Sequence, residues 1–252
     1  MAYTLRRRPV IAGTEAGAVV DRTDCRTILV WDLPLRVFHW LLAGSFAAAF
    51  ATGDADRWRD VHAELGYTII ALVVFRIAWG VFGTRHARFG AFPPAPAAAL
   101  AYVRSLLAGR PAHYVGHNPA GAVAIYLLLG LALATGFSGL AAYAELGGKW
   151  VEEVHEVLAN AMLAVVVVHV AGVVVGSLAH RENLALAMLT GRKRGEPGAA
   201  IGRTRPLVAV VLLAGVLGLW TGVLPTPGLD LEAGPGGNAA PARSNRHADD
   251  VD

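Results

Sequence analysis

The chain has 252 residues, 55% of them hydrophobic and 16% charged, with a net charge of +3 and a mean hydropathy of +0.48. That balance belongs to a polytopic membrane protein and excludes an ordinary soluble domain. A single cysteine, Cys25, excludes an internal disulfide, a covalent C-x-x-C-H haem site and a four-cysteine cluster, which leaves histidine for any metal or redox chemistry.

Residues 1–27 are polar and basic and read as a disordered cytoplasmic tail. Arg6, Arg7 and Arg8 are not followed by a short apolar run and a small-residue cleavage site, so no removable signal peptide is expected. A first span is predicted from Ile28 or Leu35 to Ala51, with Trp31 and Trp40 as interfacial or core aromatics. After T-G-D-A-D-R-W-R-D, a second span runs from Val61 to Phe82. The next connection contains A-A-L-A-Y-V-R-S-L-L-A, the pattern of a short amphipathic surface helix. G-H-N-P opens a third span reaching Tyr143, with Asn118 as N-cap and Pro119 at the first helical position. The fourth span, Trp150 to Leu178, is the longest apolar stretch. A fifth, Leu207 to Leu224, contains Gly215, Gly218 and Gly222, and residues 226–252 form a low-complexity tail expected to be disordered.

Lys and Arg distribution sets the orientation. Sixteen of these residues fall on the side of the N-terminus and five on the other, leaving only Arg76 inside a span. The N-terminus is therefore expected in the cytoplasm and the C-terminus in the periplasm.

Nine histidines are present. His155 and His169 are fourteen residues apart on the fourth span, so they lie within about 40° of each other around the helix and roughly 21 Å apart along it. Depth pairs His39 with His169 at the inner side and His62 with His155 at the outer side. Two antiparallel helices offering one imidazole each at matched depth form a bis-histidine cage suited to a six-coordinate haem b. Arg76 follows His62 by fourteen residues and so shares its face, at the level of the inner pair. A buried guanidinium needs an anion. No Asp or Glu appears deep in any span, and a haem propionate would serve. Gly44, Gly66 and Gly172 make room near the histidines for a flat macrocycle.

A single histidine at a span end is ordinarily an interfacial polar residue, and Arg76 alone could snorkel to the interface. Four histidines at matched depths, with a partnerless arginine beside one pair, are harder to explain in that way. His86, His113, His180 and His247 fall in connections or the tail, where solvation accounts for them. His117 reads as packing at the start of the third span ahead of serving as a ligand, though it sits near the inner site. Together with Arg36 and Asn118 it forms a polar cluster that marks a candidate quinone site. The glycines have an alternative role in helix packing.

The runs V-W-D-L-P-L-R-V-F-H-W, H-A-E-L-G-Y, F-R-I-A-W-G-V-F-G-T-R-H-A-R-F, G-H-N-P-A-G and H-E-V-L-A-N…H-V-A-G-V resemble the bacterial cytochrome b561 family. That group includes the b-type cytochrome subunit of nickel-iron hydrogenases. The resemblance covers about residues 28 to 194. It implies a four-helix core with two b haems and transmembrane electron transfer, with His39, His62, His155 and His169 on the family's ligand positions. The expected fold is an all-α polytopic membrane helical bundle, with a four-helix di-haem core over 28–194 and a fifth transmembrane helix within 195–225. The expected function is electron transfer between a periplasmic redox partner, a hydrogenase or a c-type cytochrome, and the quinone pool. The chain is read as an electron-transfer subunit rather than a stand-alone enzyme. Two other readings stay open: a haem-free transporter using its histidines as a proton relay, and a membrane anchor for a soluble partner.

Overall fold

The computed structural model describes residues 26–226. Residues 1–25 and 227–252, most of both predicted tails, lie outside the described residues, and Cys25 and His247 with them. In chain order the elements are strand β1 (Arg26–Leu29) and helices α1 (Leu33–Thr52), α2 (Arg59–Phe82), α3 (Pro96–Leu107), α4 (Pro119–Tyr143), α5 (Lys149–His180) and α6 (Leu184–Thr190). Strand β2 (Arg192–Gly195) and helix α7 (Pro206–Trp220) follow.

Four helices, α1, α2 with the turn before it, α4 and α5, are long and apolar enough to cross a membrane. At 1.5 Å per residue the shortest of them covers about 30 Å, the thickness of a hydrocarbon core. Successive helices pack in the order α1, α2, α4, α5, and α7 lies against α1 and α2. The core sits where α1, α2 and α4 meet, around Leu72, Val73, Phe38 and Ala132. Many large apolar side chains point outward instead, including Val168 and Leu178 of α5. In water such a surface would be costly, whereas against lipid tails it is not.

Two expectations about element boundaries are corrected. The stretch from Ile28 does not begin the first span. Residues Arg26–Leu29 form β1, paired antiparallel with β2 so that Leu29 faces Arg192. The α1 helix starts only after Asp32, whose carboxylate caps it by accepting from Leu35 N at 2.8 Å. Gly191 fastens this junction: its carbonyl accepts from Val30 N at 2.8 Å and Trp31 N at 3.1 Å. Its φ of +79° is favourable for glycine, and a Cβ there would meet the Trp31 carbonyl at 2.6 Å. The fifth apolar segment is a helix of 15 residues, about 22 Å long. It stops short of Leu224 because Gly222 turns at φ +70° and Leu224 N donates back to the Gly218 carbonyl at 2.8 Å.

The capping at G-H-N-P follows the sequence reading. Asn118 Oδ1 accepts from Gly121 N at 2.7 Å, and Pro119 opens α4.

Candidate haem sites at the two ends of the bundle

We call the end bearing β1 and β2 proximal and the opposite end distal. At the distal end, His62 on α2 and His155 on α5 face each other with ring centroids 6.0 Å apart and planes at 88°. Metal–imidazole bonds of roughly 2 Å, plus roughly 1 Å from each nitrogen to its ring centre, put two trans imidazoles about 6 Å apart. The separation therefore suits one shared metal ion. His62 Nδ1 lies 2.9 Å from the Ala49 carbonyl of α1, and His155 Nδ1 lies 2.9 Å from the Thr135 carbonyl of α4. A carbonyl only accepts, so each Nδ1 carries the proton and donates. Each Nε2 is then left as the lone-pair nitrogen, the arrangement that orients an imidazole for ligation. Ala49 lies in the last turn of α1, where carbonyls lack backbone N–H partners. Its carbonyl also accepts from Thr52 Oγ1 at 3.1 Å, so its two lone pairs serve both groups.

The two rings line a cavity of about 700 Å³ with Gly66, Gly136, Gly139 and Met162. Gly139 is decisive: a Cβ there would meet His155 Cε1 at 2.7 Å. An added Cβ at Gly44, Gly66 or Gly172 meets nothing within 4 Å, so these helix faces leave open space.

At the proximal end His39 on α1 and His169 on α5 are near enough to interact electrostatically. His39 Nδ1 is buried and has no hydrogen-bond partner among the described residues. Arg76 does not snorkel outward. It is 2% exposed, its Cζ lies 4.7 Å from the Phe89 ring centre and 5.9 Å from that of Phe92, and both Nη atoms lack hydrogen-bond partners among the described residues. His117 is wedged between Trp31 and Phe92, with ring centroids at 4.6 Å and 4.2 Å. Burial, then the charges of Arg76 and Lys193 with smaller contributions from His86 and His169, push its imidazole well below the usual histidine range. It is therefore neutral at physiological pH. Its Nδ1 is also unpartnered among the described residues.

Arg36 and Asn118 stand differently. The Arg36 guanidinium donates to the Leu189 carbonyl at the end of α6, although its Nε is unpartnered among the described residues. Asn118 Oδ1 is engaged in its cap.

Two carboxylates are buried near span ends, one early in α2 and one at the head of α1. Glu64 on α2 is 3% exposed, and both carboxylate oxygens lack hydrogen-bond partners among the described residues. Asp32, fully buried at the head of α1, also acts on Arg76 electrostatically. Its oxygens are engaged by Trp79 Nε1 at 3.0 Å and Thr84 Oγ1 at 2.5 Å, and it forms no ion pair with the arginine. The Asp-x-Pro start of α1 carries a capping signal, but its tie to Trp79 and Thr84 was not legible from spacing.

Three histidines expected to be solvated are half-buried and have protein partners. His86 Nε2 donates to the Ala199 carbonyl at 2.7 Å. His113 Nε2 approaches Glu182 Oε2 at 3.4 Å, and His180 Nε2 meets Tyr102 OH at 3.0 Å.

Orphaned polar nitrogens, paired imidazoles with lone pairs to spare and glycine-lined space fit a porphyrin-bound metal. The comparisons agree. The model of the family described as prokaryotic cytochrome b561 matches residues 30–191. A probable Ni/Fe-hydrogenase B-type cytochrome subunit from Cupriavidus necator is 28% identical over 56% of this chain and 69% of its own. A protein of the same description from Bradyrhizobium diazoefficiens is 23% identical over 74% and 94%. One from Azotobacter chroococcum is 28% identical over 50% and 64%. No solved structure matches the chain. With the family match spanning all four long helices, the chain belongs to the prokaryotic cytochrome b561 family and is a multi-pass bacterial membrane b-type cytochrome of electron transport.

Proposed function

We propose that this protein is a di-haem cytochrome that passes electrons across the cytoplasmic membrane between a periplasmic redox protein and the quinone pool. The observation that carries this reading is the placement of one histidine pair at each end of the same four helices. His62 and His155 would hold one haem b at the distal end, and His39 and His169 would hold the other at the proximal end. Bound haem supplies a one-electron couple whose potential is set by ligation, burial and nearby charge. The chain's own part is to fix the Nδ1–H tautomers through the Ala49 and Thr135 carbonyls, to exclude water with Met162 and Ile69, and to place the Arg76 charge. Arg76 would pair with a propionate of the proximal haem, since both Nη atoms lack a hydrogen-bond partner among the described residues. Quinone would bind near His117, which the aromatic walls of Trp31 and Phe92 keep neutral and able to hydrogen-bond a carbonyl.

The relatives are described as hydrogenase cytochrome subunits, which makes a nickel-iron hydrogenase the first candidate for the periplasmic partner, with a c-type cytochrome second. Haem quantification with a reduced-minus-oxidised spectrum tests the reading. Two haems per chain are expected, falling to one in His62→Ala or His155→Ala. A single haem in the wild type, or loss of both from a folded single variant, would contradict two independent cages.

A further inference from the structure

The distal cavity is graded from floor to mouth. Ile69, Ala132 and Met162 line it in the interior, the two imidazoles lie above them, and charged residues ring the opening. Arg59 and Lys149, the first residues of α2 and α5, supply the only Lys or Arg side chains along its wall among the described residues. Arg59 precedes His62 by three residues, so it shares that helix face about 4.5 Å further out. Its Nη2 donates to the Tyr143 carbonyl at 3.4 Å, and its Cζ sits 5.0 Å from the Tyr143 ring centre. Tyr143 OH in turn donates to Asp60 Oδ1 at 3.1 Å. This stack holds the planar fork at the mouth with most of its five donors unspent. Asp56, Glu145 and Glu152 line the same opening, yet neither cation forms an ion pair among the described residues.

A b-type porphyrin is amphipathic in the same sense as this cavity. Most of its rim is apolar, and one edge carries two carboxylates. Seated between His62 and His155, it would bury the apolar rim against Ile69, Ala132 and Met162 and turn the carboxylate edge to the mouth. We propose that Arg59 and Lys149 form a two-point clamp for the two porphyrin carboxylates at the distal site. The inference rests on the reading of His62 and His155 as a haem cage. Arg59 contributes a planar, bidentate contact and Lys149 a point charge. The carboxylates hold both cations close to the macrocycle, where they favour the added electron, so the clamp also raises the potential of the distal couple. Without the carboxylates the side chains swing into solvent at the mouth and their field is screened.

The test uses the full-length haem-loaded protein and a potentiometric titration of both haems in wild type, Arg59→Gln, Lys149→Gln and the double variant. The same set is then reconstituted with iron protoporphyrin dimethyl ester, which lacks the carboxylate charges. With natural haem, Arg59→Gln should favour the oxidised distal haem about tenfold, a fall of about 59 mV for one electron. Lys149→Gln should do less, the double variant more, and the proximal midpoint should not move. With the dimethyl ester most of the difference between wild type and variants should vanish. Equal shifts with either porphyrin would mean a general field effect and would overturn the clamp, as would unchanged midpoints in the double variant. His62→Ala is the independent control. If it leaves the distal spectrum intact, the haem-cage reading fails instead.

Discussion

At the scale of single residues, Arg76 shows what spacing reveals and what it hides. Fourteen residues from His62 place it on the His62 face of α2, about 21 Å further along the axis, because helical periodicity is rigid over that distance. That it stays inside, boxed by Phe89 and Phe92, depends on side chains from the connection after α2 that no period in α2 announces. If it neutralises a proximal propionate, Arg76→Gln should lower one midpoint only. A unit charge at roughly 8 Å in an effective dielectric of about 20 is worth about 2 kcal/mol, or roughly 90 mV for one electron. Arg76→Lys should be intermediate, keeping charge but losing the fork. A shift confined to the distal haem would reassign the arginine. His117 is tested separately: His117→Ala should slow quinone-linked turnover while both haem spectra persist. Loss of haem would show instead that the Trp31–His117–Phe92 stack supports the cage.

At the scale of elements, the four long helices and the α4 cap were legible because each is a local pattern. Pro119 and Asn118 mark a start, and uninterrupted apolar runs of twenty residues or more mark a span. The β1–β2 ribbon was not, because its partners are separated by more than 160 residues and each strand is only four long. Such pairing is settled by tertiary contacts such as the Gly191 carbonyl rather than by alternation along either strand. The orientation of the distal imidazoles was hidden for a similar reason, since the Ala49 and Thr135 carbonyls come from helices other than those bearing the rings. Gly139 makes the dependence measurable. A leucine there occupies the volume of the His155 ring, so Gly139→Leu should abolish distal haem binding and spare the proximal haem. Gly130→Leu, at a position with nothing within 4 Å, is the matched control and should retain both haems. Retention of the distal haem in Gly139→Leu would mean that His155 reaches its metal from another rotamer.

At the scale of the whole molecule, charge asymmetry gives the fold an expected orientation in the membrane. The proximal end carries Arg85, Arg88, Arg104, Arg110, Arg181, Arg192 and Lys193. The distal turns between Thr52 and Arg59 and between Tyr143 and Glu156 carry mainly Asp and Glu. Cationic loops are retained on the cytoplasmic side during insertion, so the distal cavity should open to the periplasm, where a soluble redox partner can reach it. The proximal cluster around His117 would then lie toward the cytoplasm. Single cysteines introduced into a Cys25→Ser background make this orientation testable. Asp54→Cys, in the turn after α1, should react with a membrane-impermeant maleimide added to intact spheroplasts. Arg110→Cys, in the connection before α4, should react only in inverted vesicles or after permeabilisation. The reverse pattern would put His62 and His155 on the cytoplasmic side. It would leave the haem cages in place but exchange their partners, so that the distal haem could no longer be the one that meets a periplasmic donor.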